Sequence, residues 1–261
     1  MIFNFSEPIT AYEFWAIVLS VIALLIPDIK WVHNRYIKKI KIDFLPSGKI
    51  TLFFNNSGAY ISLGGVYDTK NKPATIKDIS AQVIRESDNS TLSLTWSSFP
   101  SPVFRQVAGN YETSFETAHA FKAEADTLTP AFIEFACATE NMNDKIKAHL
   151  SPLVHAAVPI TTNPNIQFLE AGNIFHELPE FHTAELELND EFFWKTGKYK
   201  LCLMTKYNNT SFTKTYLFSL SDSDSKTLRS NIQGLLLNVL GTRFNFTSPM
   251  STVYKDFEEI V

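Results

Sequence analysis

The residues best spaced for chemistry are His176-Glu177-Leu178-Pro179-Glu180-Phe181-His182. Two imidazoles and two carboxylates within seven residues are a ligand set that suits zinc, and through it a metal-dependent hydrolase. Pro179 argues against a helix here, which removes the i,i+4 geometry of helical zinc sites. In an extended segment His176, Glu180 and His182 share one face and are the candidate ligands. A solvated loop accounts for the same residues equally simply. A second acidic group comprises Glu124 and Asp126, with Glu134 placed across a hairpin and His119 at the strand entry. Paired carboxylates do acid–base work when burial separates their pKa values. Alternation with Ala123 and Ala125 instead describes the wet face of a strand. His149 and His155, flanking Ser151 and Pro152, read as loop residues.

No Gly-rich phosphate loop, nucleophile elbow or His-Glu-x-x-His helix occurs. Gly58, Gly64 and Gly65 read as a turn and a bulge rather than a ligand cradle. No catalytic residue and no cofactor is assigned, and the expected class is non-enzymatic.

The elements that would position any site begin with a hydrophobic plug. Phe14, Trp15, Ile17, Val18, Leu19, Val21, Ile22, Leu24, Leu25 and Ile26 form an uncharged run that meets no helix breaker before Pro27. The charge-free interval from Glu13 to Asp28 alone is short, about 21 Å of helix against a hydrocarbon core of roughly 30 Å. Extended over residues 9–32, with Glu13 and Asp28 at the interfaces, it is long enough to span. Tyr12, Trp15, Trp31 and Tyr36 fall where an aromatic belt would. Lys30, Arg35, Lys38, Lys39 and Lys41 follow on one side only, as lipid-head contacts, and no Lys or Arg precedes them. The positive-inside bias then leaves the N-terminus outside and the body cytoplasmic: a single-pass protein of a bacterial-type inner membrane. Pro27 marks either a kink or the end of the first helical segment. A buried core helix is the competing account of the same run. A secretory signal fits poorly, lacking a basic start and a small-residue cleavage site.

Composition narrows the rest. Of 261 residues 45% are hydrophobic and 22 are Phe, enough for a sizeable, strand-rich core. Residues 1–41 carry net charge +2 and the remainder −6, a poor match for nucleic acid. Cys137 and Cys202 sit singly in apolar strand-like settings and read as small buried hydrophobes. The sequons at Asn208 and Asn245 matter only in a glycosylating lumen.

Downstream of residue 41 the period turns from helical to alternating. Strands are expected at Ile42–Leu45 and Ile50–Phe54, with a turn at Pro46-Ser47-Gly48, and then at Tyr60–Leu63, Ile76–Arg85 and Thr91–Trp96. Two more follow at 118–125 and 131–137. Residues 139–165 break the pattern, with one short helix over 140–150 and a proline-bearing crossover. Strand character resumes at Ile166–Leu169, Thr183–Leu188, Lys198–Tyr207 and Ser211–Leu220, the last two forming a hairpin through Asn208-Asn209-Thr210. Asp222 or Ser223 caps a final amphipathic helix whose stripe is Leu228, Ile232, Leu235, Leu236, Val239 and Leu240, stopped by Gly241. Residues 242–261 read as weakly ordered.

Gly197-Lys198-Tyr199-Lys200-Leu201-Cys202-Leu203 resembles the penultimate strand of immunoglobulin-like sandwiches, a likeness of a few residues that names no family. The expected organisation is an N-terminal tail (1–8), a transmembrane helix (9–32), a basic juxtamembrane segment (33–41), a first β-sandwich region (42–138), a crossover (139–165), a second β region with the C-terminal helix (166–241) and a tail (242–261). The fold class is mainly β, with one or two immunoglobulin-like sandwiches. The expected function is a membrane-tethered binding or scaffolding module whose partners are the lipid bilayer and a protein, or a second copy, docking on exposed strand edges. A membrane effector or pore component that gathers its anchors, using the small face of Ala16, Ser20 and Ala23, is the alternative.

Overall fold

Both alternating regions of the chain enter one antiparallel sheet. The computed structural model describes residues 11–107, 110–137 and 141–260. Helix α1 (Ala11–Val32) runs into a π-helical turn at His33–Ile37. Strands β1 (Lys41–Asn55), β2 (Gly58–Lys70), β3 (Ala74–Arg85), β4 (Thr91–Val107), β5 (Asn110–Thr117), β6 (Phe121–Ala123) and β7 (Thr127–Cys137) follow. Helices α2 (Asn141–Ala156), α3 (Val158–Thr162), α4 (Phe168–His176) and α5 (Pro179–Asp190) lead to the hairpin of β8 (Gly197–Tyr207) and β9 (Thr210–Leu220). Helix α6 (Asp222–Leu237), the short α7 (Gly241–Phe244), β10 (Val253–Lys255) and β11 (Glu258–Ile260) complete the chain.

The sheet has 11 strands in the order β10-β1-β2-β7-β4-β3-β8-β9-β11, with β5 on β4 and β6 on β3. The mainly-β expectation holds. Pairing is continuous where a sandwich has two sheets, so the immunoglobulin-like arrangement does not emerge. The two β regions are joined directly, β3 lying against β8 with Ala81 opposite Leu203. Register shifts in β1, β3 and β4 bend their strands and add twist, which curls the sheet. The expected Pro46-Ser47-Gly48 turn is one of these, a bulge between Ser47 and Thr51 inside a single long strand with Gly48 at φ +74°.

Alternation fills the inside of the curl. Phe44, Leu52, Phe54, Ile61, Leu63, Tyr67, Val83, Leu201 and Tyr216 are buried, and each fully buried large apolar side chain stabilises by about 1.5–3 kcal/mol before entropy is charged. Across the interior the Tyr67 hydroxyl meets Thr205 Oγ1 at 3.0 Å.

Residues 139–190 depart most from the sequence reading. The helix expected over 140–150 extends through Pro152 to Ala156, and its first residue, Glu140, lies outside the described residues. The strands expected at Ile166–Leu169 and Thr183–Leu188 are helical: α4 covers Phe168 onward and α5 covers the second entirely. Thr183–Leu188 alternates, yet Phe181, Ala184 and Leu188 are buried at helical spacing while Leu186 is exposed. Glu, Leu and Ala favour a helix there, and Pro179 is its first-turn residue, a position proline suits.

These helices and α6 cover the sheet at the β1–β2 turn. Trp194 Nε1 donates to Phe53 O at 3.0 Å, and Ser225 Oγ donates to Trp194 O at 2.7 Å. Buried Asn231 of α6 donates to Phe54 O at 3.1 Å and to Ser251 O at 2.8 Å. The stripe of α6 faces inward as expected, with Leu228, Ile232, Leu235, Leu236 and Leu240 buried and Val239 half-buried. Its cap is Ser221, in a reciprocal capping box with Asp224, one residue before the expected position.

The tail is ordered. Strand β10 pairs with β1 and β11 pairs with β9, so one short segment covers both ends of the sheet. The exposed strand edges expected as a docking surface are occupied at these points by the chain's own terminus.

Candidate membrane anchor

The chemistry-bearing side chains do not converge. His176 ends α4, whereas Glu180 and His182 lie in the first turns of α5, so the shared extended face is not formed. Both imidazoles pack on the Phe181 ring, at 4.5 and 5.8 Å between centroids. Among the described residues no group of three or more His, Cys, Asp or Glu is placed to hold a metal ion.

Glu124 pairs with Lys122 at 2.9 Å, and Asp126 accepts from the Asn71 N–H at 3.3 Å. Glu134 sits apart from them, opposite Ser62 of β2 and Ser98 of β4. Its carboxylate accepts from Tyr60 at 2.9 Å and Ser98 at 2.6 Å. Burial is the main cause raising the Tyr60 phenol above its ordinary value, so it stays a proton donor that pins three strands. His119 stacks edge-on against Phe99. His149 is not in a loop: it bonds Glu187 at 2.7 Å and joins α2 to α5. Neither cysteine forms a disulfide, and both are half-buried rather than buried.

Of the three glycines, Gly58 is a turn residue at φ +89°. Gly64 and Gly65 lie inside β2 in unbroken register with β7, but on the β1 side Gly64 faces Ser47 at the edge of the bulge described above, so the bulge reading holds there. A Cβ on Gly65 would stand 2.4 Å from Phe44 Cζ and 2.8 Å from the Leu45 carbonyl oxygen, so the absent side chain is space for the core.

The remaining feature is α1. Its 22 residues give about 33 Å of helix, matching a hydrocarbon core of roughly 30 Å. Over Tyr12–Val32 the mean hydropathy reaches 1.9 and 0% of the apolar window is buried. One helix near the N-terminus is thus long and apolar enough to cross a membrane, and it contributes nothing to the core of the body. The outward side chains include Phe14, Trp15, Leu19, Leu24 and Ile29. Glu13 in the first turn and Lys30 in the last complement the helix dipole. The Ser20 hydroxyl, the one polar side chain in the central stretch, donates to Ala16 O at 2.7 Å and is satisfied within the helix. Pro27 does not end the helix, which continues to Val32. It does leave the Ala23 carbonyl without its usual donor.

At the exit, Trp31 and Tyr36 pack edge to face at 6.2 Å. Lys38 N–H closes the π-turn on His33 O at 2.9 Å. Lys30, Lys38, Lys39 and Lys41 are exposed. The N-terminal tail over residues 1–8, the start of the expected span at residues 9–10 and the Arg35 side chain lie outside the described residues.

No family model matches the chain, and no curated protein matches it. Among solved structures it is similar to a family 123 glycoside hydrolase from Clostridium perfringens, at 9% identity and a TM-score of 0.30. The match covers 70% of this chain and 27% of that one. A likeness at that score carries no argument about fold or hydrolysis.

Proposed function

We propose that the chain is a single-pass, membrane-tethered binding module, its β body held at the cytoplasmic face to recruit a protein partner without catalysing a reaction. The observation that carries the reading is that no residue in the apolar window of α1 is buried, beside a body whose core closes without it. An exposed apolar surface of that size belongs in lipid or against a partner. The lysines that follow it supply the orientation. Tethering confines the partner to two dimensions and raises its effective concentration.

With the ends of the sheet covered by the tail, recruitment falls to the helical layer. Residues 141–195 hold eight Asp/Glu against three Lys/Arg, which favours a partner with a basic face. Carbonate extraction of membranes tests the tether. The full chain stays with the bilayer while residues 38–261 alone are soluble, and release of the full chain would overturn the reading. Pull-down in mild detergent at rising salt tests recruitment, with capture of a basic partner lost at high ionic strength.

A further inference from the structure

We propose that the rim of the sheet on the side where α1 leaves the membrane is a docking surface for anionic lipid headgroups, so that the body lies down on the leaflet instead of swinging on its linker. The inference rests on the anchor reading and adds a second, independent contact.

Topology gathers the rim. β1 starts at Lys41 opposite Lys70, the last residue of β2. β3 starts beside the end of β8, with Ile76 opposite Tyr207, and β6 lies on the same stretch of β3. The turns at 71–73, 124–126 and 208–209 therefore share one end. They are tied together: Asn71 Nδ2 donates to Lys39 O at 3.0 Å, Asp126 N–H to Thr69 O at 2.6 Å, and Thr75 N–H to Asn208 Oδ1 at 3.1 Å. The helices sit at the opposite end of β1, on Phe53 and Phe54.

Charge follows the same axis. Lys70, Lys72, Lys77, Lys122 and Lys206 stand on the rim, beside Lys38, Lys39 and Lys41 of the linker. Against these eight cations the rim has Asp68, Asp78, Glu124 and Asp126, and Asp43 opposite Asp68, which Lys214 holds, while the helical end carries the acidic excess described above. The pairs Lys70–Asp68, Lys122–Glu124 and Lys206–Asp78 have lysine side chains 52%, 59% and 53% exposed. Exposed pairs of this kind hold weakly, so their ammonium groups are available to lipid phosphates. Among the described residues Lys77 reaches an amide oxygen and no carboxylate, Asn209 Oδ1 at 3.3 Å. The positive pole faces the leaflet that a cationic exit selects, and anionic lipids attract each such cation within a Debye length.

The test is hydrogen exchange on the full chain reconstituted in vesicles of neutral phosphatidylcholine, or of the same lipid with about a third phosphatidylserine. Exchange at residues 70–76 and 207–210 is expected to slow roughly five-fold in the anionic vesicles alone, and to recover in high salt. Lys70→Gln, Lys77→Gln and Lys206→Gln combined remove the protection, whereas Lys145→Gln with Lys195→Gln at the helical end leaves it intact. Equal exchange in both vesicles, with the chain still resistant to carbonate, overturns the docking and spares the anchor. If the chain is not retained in either vesicle the anchor reading fails. Cosedimentation of the soluble chain then decides the rim: binding to anionic vesicles supports it, and no binding overturns it. Protection conferred on the neutral-vesicle sample by added RNA, and not by anionic lipid, likewise overturns it.

Discussion

Lys214 of β9 reaches Asp43 of β1 at 2.8 Å and also bonds Glu259 of β11, so one ammonium ties the first, ninth and last strands of the curled sheet. Strands at opposite ends of the strand order are joined by this side chain, which makes it the place to test closure.

Replacing it is the first prediction. Burial disfavours the Lys214 charge, but its bonds to Asp43 and Glu259 outweigh that and raise its pKa above the ordinary 10.5. A raised lysine contributes stability that is complete below the unfolded value and is lost as pH climbs through the folded one. Lys214→Met should cost roughly 1 kcal/mol in urea unfolding at neutral pH. The difference from wild type should shrink above about pH 10.5. A constant gap would mean that the charge is not what closes the sheet.

The tail makes the second prediction. Val253 is buried beside β1, and the Phe257 ring packs edge-on to Tyr216 at 5.4 Å. A chain ending at Thr252 should bind a hydrophobic dye and show faster exchange at Ile50–Leu52 and Thr215–Leu217, the partners of β10 and β11. Phe257→Ala should lose about 1–3 kcal/mol and keep the fold. Unchanged exchange in the truncated chain would show that the edges need no cover.

Two adjacent glycines separate packing from backbone effects. At Gly65 an added methyl meets a buried ring and a backbone carbonyl, and Gly65→Ala should cost about 2–3 kcal/mol. At Gly64 the nearest atom is Phe132 Cδ1 at 3.2 Å, on a ring 47% exposed and free to shift. Gly64→Ala should stay within about 0.5 kcal/mol. Thermal melts of the pair decide whether packing sets the cost: equal losses at both positions would assign it instead to the backbone beside the β1 bulge that Gly64 borders.

Asn231 is the fourth. Its amide satisfies Phe54 O and Ser251 O, and its Oδ1 accepts from Ser251 N–H at 2.7 Å. Asn231→Leu keeps the volume but strands three polar groups, one of them on β1. A loss of about 2–4 kcal/mol is expected by denaturant titration. A neutral result would mean that water replaces the amide.

Legibility in the sequence followed the range of the interaction. The β8–β9 hairpin could be read because Asn208 supplies both the turn, at φ +46°, and a boundary between clean alternations. The α6 stripe could be read because apolar residues at helical spacing meet a capping residue. Thr183–Leu188 failed because its alternation overlaps a helical set, and only burial of Phe181, Ala184 and Leu188 against other elements selects between them. The tail failed for a related reason: three-residue strands carry no periodic signal and exist only because β1 and β9 offer open edges. His176 and His182 drew attention by spacing along the chain, but a helix break turned both rings onto Phe181.

By itself the sequence determined the apolar N-terminal helix, its one-sided cations and the mainly-β body, since each is a property of neighbouring residues. Tertiary structure alone decided that the two β regions make one sheet, that the C-terminus covers its edges, and that lysines from distant turns share the rim beside the C-terminal end of α1. The pairings of β3 with β8 and of β1 with β10 join segments more than a hundred residues apart. Local patterning carries no information about which strand lies beside which, because any alternating strand can satisfy any other's backbone.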